Sequence, residues 1–142
     1  MKREPDYKHE KAMYEYLQLH GCADLTLPLI GSDDNELILV FDRGVCDLRQ
    51  FAEIRRDSGD PLDLEEIFLI AEYLATAMQR LGEIGVSLCD LKEMNVLVAF
   101  SNEKQGYFPI LTDLGAAYCK NVKQDSQYPM IITPAYFDQR VL

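Results

Sequence analysis

Leu88-Cys89-Asp90-Leu91-Lys92-Glu93-Met94-Asn95-Val96-Leu97-Val98, with Leu111-Thr112-Asp113-Leu114-Gly115 downstream, is the stretch that decides how this chain folds. An acid is followed two residues on by a lysine and five residues on by an asparagine. An apolar, β-rich run comes next. A second apolar run, Phe108 to Thr112, ends on another acid before Leu-Gly. The two runs flank the polar turn Ser101-Asn102-Glu103-Lys104-Gln105-Gly106, which predicts an antiparallel pair of strands. Such a hairpin carries Asn95 at one end of its first strand and Asp113 just past its second.

Upstream, the longest helical pattern follows Asp63. Leu64, Ile67, Ala71, Leu74, Met78 and Leu81 recur at spacings of three and four, predicting a helix with one buried face. Asp63 suits its cap, and Glu65 and Glu66 suit its first turn. Gly82 and Gly85 end it. A first helix is predicted from about Tyr7 to Leu19, stopped by Gly21. Two short apolar runs, Leu25 to Ile30 and Leu37 to Phe41, flank Gly31-Ser32-Asp33-Asp34-Asn35 and predict a hairpin. Val45 to Ala52 predicts a short helix, broken by Asp57-Ser58-Gly59-Asp60-Pro61. Ala116 to Leu142 reads as irregular.

The chain has 142 residues, 48% hydrophobic and 27% charged, which fits one globular domain of the α+β class. No run of eighteen apolar residues predicts a membrane span. The N-terminal Met1-Lys2-Arg3-Glu4-Pro5-Asp6 has no apolar stretch of a signal peptide. With no secretory signal, an intracellular, cytoplasmic location is expected. Cys22, Cys46, Cys89 and Cys119 form no CxxC pair and read as reduced thiols, and Cys89 as a buried small residue. Neither His9 nor His20 has zinc-ligand spacing to them. A net charge of −10 argues against nonspecific binding to nucleic acid or anionic membranes.

The order long helix, acid–lysine–asparagine loop, hairpin and Asp-Leu-Gly resembles the middle of a protein kinase catalytic domain, part of the protein kinase-like superfamily. The resemblance implies an α+β partial kinase fold: helix C, strands 4–5 and the hinge, helices D and E, the catalytic loop, a β-hairpin and the activation segment. Residues 1–41 would be a remnant of the N-lobe, and 42–142 the hinge and first part of the C-lobe. The glycine-rich loop and the later C-lobe helices have no counterpart, so the domain reads as incomplete.

The resemblance also implies roles. Asp90 would take or orient the proton of a substrate hydroxyl, and Lys92 would place positive charge by the transferring phosphoryl group. Asn95 and Asp113 would hold Mg²⁺, with Asp113 also meeting the nucleotide. Backbone groups of Asp42, Arg43 and Gly44 would meet adenine, with Phe41 as gatekeeper. Glu10 is the candidate for the helix C glutamate, with Glu15 second, and Lys2 for its lysine partner. Thr133-Pro134-Ala135-Tyr136 resembles the Thr-Pro-x-Tyr of the substrate-facing loop. ATP and Mg²⁺ are the implied cofactors, and a protein serine or threonine the implied acceptor.

The departures are specific. Leu88-Cys89 stands where His-Arg precedes the catalytic aspartate. An activation-loop phosphate therefore has no arginine partner there. Leu114 replaces a phenylalanine, and Asp138-Gln139-Arg140 replaces Ala-Pro-Glu. Two other readings remain open at this point: a pseudokinase-like binding module, and a small-molecule phosphotransferase of the same superfamily.

Overall fold

The computed structural model describes residues 3–44, 46–103 and 106–122. Lys2, Val45 and the Lys104-Gln105 part of the expected turn lie outside the described residues. So do the Thr133-Pro134-Ala135-Tyr136 segment and Asp138-Gln139-Arg140. Among the described residues the fold is α+β, with three α-helices and small antiparallel sheets.

Helix α1 spans Glu4–Leu19, starting three residues before the predicted Tyr7. Pro5 explains the extension. In the first turn its missing N–H would have no intrahelical partner anyway, and its fixed φ suits the helix. Glu4 and Asp6 complement the helix dipole there. Tyr7, Glu10, Met13, Tyr14 and Leu17 line the inward face. The helix ends in a Schellman arrangement. Gly21 takes φ 71°, Cys22 N–H donates to Leu17 O at 2.8 Å, and Gly21 N–H donates to Gln18 O at 3.3 Å.

Strands β1 (Leu29–Asp33) and β2 (Ile38–Phe41) form the first hairpin. The reversal lies at residues 34–37, later than the Gly31 signal. Gly31, Ser32 and Asp33 belong to the strand, and the register shifts between Leu29 and Gly31. Gly31 thus marks a bulge rather than a turn. Asp33 makes the turn, its Oδ1 accepting from Asn35 N–H at 2.9 Å and Glu36 N–H at 3.1 Å.

Strand β3 is only Cys46–Asp47, and α2 runs Leu48–Asp57. The helix begins later than predicted because Asp47 is its cap, reciprocated by Gln50. Helix α3 spans Leu64–Glu83 with the same device, Asp63 paired with Glu66. Arg55 on α2 reaches Glu66 at 2.8 Å and ties the two helices together.

The single buried face expected of α3 is not what the structure shows. Ala77 and Leu81 are buried, but Leu64 is 73% exposed, Ile67 47% and Met78 49%. The core reaches α3 only along its Leu74–Ala77–Leu81–Ile84 side. Tyr73 meets Phe108 of the later hairpin, while no described element covers Leu64, Phe68 or Met78.

Strands β5 (Val96–Ser101) and β6 (Gly106–Leu111) pair in unbroken register from Val96↔Leu111 to Ser101↔Gly106. β3 adds to the other edge of β5, through Cys46↔Val98 and Asp47↔Leu97. Two-residue strands β4 (Val86–Ser87) and β7 (Tyr118–Cys119) pair as well, so the segment after Ala116 is not wholly irregular. The core gathers Met13 and Leu17 of α1, Leu81 of α3, Val96 of β5, and Leu114 and Cys119. No described helix is long and apolar enough to cross a membrane.

Candidate functional site

The acid–lysine–asparagine loop begins where β4 ends. Cys89 adopts φ 62°, a left-handed conformation uncommon outside glycine, and turns the chain so that Asp90 points back into the loop. Cys89 itself faces outward, contrary to the expectation of a buried residue. Partial burial of its sulfur still raises the thiol pKa, so the thiolate is disfavoured. Asp90 N–H donates to Leu88 O at 2.8 Å, tightening the reversal.

The three side chains of the loop meet. Lys92 Nζ lies 3.1 Å from Asp90 Oδ2, and both side chains are mostly shielded, at 16% and 12% exposure. Asn95 is buried, and its Nδ2 donates to Asp90 O at 3.0 Å and to Asp90 Oδ2 at 3.4 Å. A donating amide nitrogen leaves Oδ1 as the acceptor end of Asn95. The backbone closes the same loop, with Asn95 N–H donating to Lys92 O at 2.9 Å. Asp90 is thus held from both sides by neighbours two and five residues away.

The hairpin brings the second acid alongside. Val96 pairs with Leu111, and one step further out Thr112 N–H donates to Asn95 O at 3.0 Å. Asp113 follows directly, at φ 58° and ψ 73°. Its Oδ1 accepts from Gly115 N–H at 3.3 Å. A Cβ on residue 115 would stand 3.2 Å from that same oxygen, so glycine makes room for the carboxylate. Leu114, between them, is 1% exposed and anchors the turn in the core.

Helix α1 backs this turn. The Tyr14 ring packs on Phe41 at 4.8 Å, and its hydroxyl is buried beside Thr112 and Asp113. Burial, with the nearby Asp113 charge adding to it, pushes the Tyr14 pKa up to about 12. His9 Nε2 is 2.8 Å from Ala117 O. A carbonyl only accepts, so Nε2 carries the proton. Sequence reasoning missed both residues. Tyr14 was detectable in principle, since it sits one turn beyond Glu10 on the inward helical face.

Of the two glutamate candidates on α1, Glu10 is the buried one, at 3% exposure, and Glu15 is exposed. In the segment after β2, Asp42 N–H donates to Pro28 O at 2.9 Å and Arg43 N–H to Asp42 Oδ1 at 2.7 Å. Both donors are therefore engaged within the chain. Gly44 lies against Leu97, where an added Cβ would come within 2.9 Å of the leucine side chain.

Among the described residues no three His, Cys, Asp or Glu side chains gather as a metal-binding set. The oxygen donors at this end of the hairpin are the Asp113 carboxylate, the Asn95 amide and the Asp90 carboxylate, the last already engaged by Lys92 and Asn95. That is a poor cage for a structural ion. It suits Mg²⁺, which takes few protein oxygens and completes its shell with water and phosphate. A cleft of about 480 Å³ between α3 and β6, lined by Leu69, Tyr73, Phe108 and Pro109 among others, includes none of these four residues.

No protein-family model matches the chain, and no curated protein matches it.

Proposed function

We propose that this chain carries the catalytic and metal loops of an ATP-dependent serine/threonine protein kinase-like fold. The observation that carries the reading is the mutual contact of Asp90, Lys92 and Asn95, joined to Asp113 through the Asn95–Thr112 backbone bond. The element order α1, hairpin, linker, α2, α3, loop, hairpin and Asp-Leu-Gly turn is compatible with it.

In this reading Asp90 orients an incoming hydroxyl and accepts its proton as the new oxygen–phosphorus bond forms and the bond from that phosphorus to the departing ADP oxygen breaks. Lys92 offsets negative charge on the phosphoryl oxygens. It also holds the Asp90 carboxylate in place beforehand, at 3.1 Å. Asn95 Oδ1 and the Asp113 carboxylate would hold Mg²⁺, which when bound neutralises phosphate charge. Gly115 keeps Asp113 unobstructed.

A pseudokinase-like binding module is the second reading. It is favoured by the outward-facing Cys89 at the usual arginine position and by the engaged Asp42 and Arg43 donors.

Mg²⁺-dependent ATP binding and phosphate transfer to protein, measured on the full chain, Asp90→Asn and Asp113→Ala, test the proposal. Asp90→Asn is expected to keep binding and lose transfer by about 10²–10⁴-fold. Asp113→Ala is expected to lose the Mg²⁺ dependence of binding. Binding without transfer in the unaltered chain selects the pseudokinase reading. Transfer to a small alcohol or amine selects a small-molecule phosphotransferase. No binding by any of the three proteins overturns the nucleotide reading.

A further inference from the structure

Helix α3 carries two apolar stripes. One, Ile67, Ile70, Leu74, Ala77, Leu81 and Ile84, leads into the core, with Ala77 and Leu81 buried. The other is Leu64, Phe68, Ala71, Ala75, Met78 and Gly82, all exposed. Its spacings are four, three, four, three and four. That alternation is the seam of a helix that packs lengthwise on another helix. Leu64 is 73% exposed, Phe68 71% and Met78 49%. Alanines at the two middle positions leave room for close approach, and helix-pair axes lie about 8–10 Å apart according to the side chains between them. The stripe crosses five turns without a charged residue.

The seam has two unlike flanks. Ile67, Leu74 and Leu81 lie on the flank toward the protein body. On the other flank, each just after a seam residue and seven apart, stand Glu65, Glu72 and Gln79, with Glu72 at the rim of the cleft against β6. Among the described residues neither Glu65 nor Glu72 forms a salt bridge. A second copy docked antiparallel would set this acidic flank against itself, Glu72 facing Glu72. A parallel copy would set this acidic flank against the apolar Ile67, Leu74 and Leu81 flank of the other. Acids flanking an uncharged seam call for bases on the partner.

We propose that the exposed seam of α3 is a docking surface for a separate amphipathic helix whose apolar face is edged by lysine or arginine. Phe68 and Met78 would be the anchors, Ala71 and Ala75 the floor, and Glu65 and Glu72 the charge partners. The surface does not involve Asp90 or Asp113, so its failure leaves the phosphoryl-transfer reading standing.

The test uses the full chain and two labelled synthetic helices with the same leucine seam, one edged by lysine and one by glutamate. The lysine-edged helix is expected to bind saturably and at least about tenfold more tightly at low salt. The double variant Glu65→Gln, Glu72→Gln is expected to bring the two affinities together. Phe68→Ser is expected to abolish both, and Phe100→Ser, on the exposed hairpin, neither. Because Phe68 is exposed, its loss leaves the core intact. Absence of saturable binding, equal affinities in the unaltered chain, or indifference to Phe68→Ser overturns the proposal. A photo-crosslinking phenylalanine derivative at position 75 identifies the occupant. Capture of the lysine-edged helix supports the proposal. Capture of residues 123–142 of the same chain, or of a second copy, in the presence of that helix overturns it.

Discussion

Asn95 supports its loop in both directions. Its side chain donates to the backbone and carboxylate of Asp90, and its backbone oxygen receives Thr112. Asn95→Ala removes the donor from a mostly shielded aspartate, which costs about 1–3 kcal/mol. Asn95→Asp puts a second negative charge beside Asp90 and is expected to cost more. The midpoint of urea unfolding reads both. Equal stability of all three proteins would mean water replaces the amide without loss. Asp90, Lys92 and Asn95 were legible in the sequence because their contacts are local, within five residues. His9 was not, since the carbonyl it meets lies 108 residues away along the chain, and of Tyr14 only its inward place on the helix was. Cys89 misled for a different reason. Cysteine is usually buried, but a left-handed backbone at that position turns its side chain outward.

At the level of elements, the capped helices were the most readable. Asp63 and Glu66 satisfy each other's N–H groups at 2.8 and 3.0 Å and fix the start of α3. Asp63→Ala is expected to destabilise the protein by about 1 kcal/mol. Circular dichroism on thermal unfolding checks this, and an unchanged Tm would show the cap to be redundant with the Arg55–Glu66 tie. The short strands were not readable. β3, β4 and β7 are two residues each, and what makes them strands is a distant partner rather than any local pattern. The first hairpin forms, but its first strand starts at Leu29 rather than the expected Leu25, after a 3-10 turn at Ala23–Leu25, and its reversal comes later, because Gly31 signals a bulge as readily as a turn. In α3 the periodicity predicted burial, yet the same spacings describe a stripe that nothing described covers.

For the molecule as a whole, alkaline pH is the informative variable. An unfolded tyrosine ionises near 10, whereas burial holds Tyr14 neutral to about 12. The folded state therefore keeps a proton that the unfolded state has lost. The Tyr14 contribution is complete below pH 10 and is lost as pH rises toward 12. Tyr14→Phe is expected to flatten that part of the stability curve, read as Tm against pH beside the unaltered chain. Identical alkaline slopes would place the hydroxyl in contact with water. The α+β class and the order of the larger elements could be read from hydrophobic periodicity. Their closure into one core could not, since it depends on the first helix meeting the turn at 114–116. That closure has a kinetic consequence. The His9–Ala117 bond spans 108 residues, and Leu17 shares its core with Leu114 and Cys119. During synthesis α1 can meet Phe41 early, but its partners at 114–119 follow about a hundred residues later. Until they arrive, part of the apolar face of α1 is open to chaperones and to aggregation.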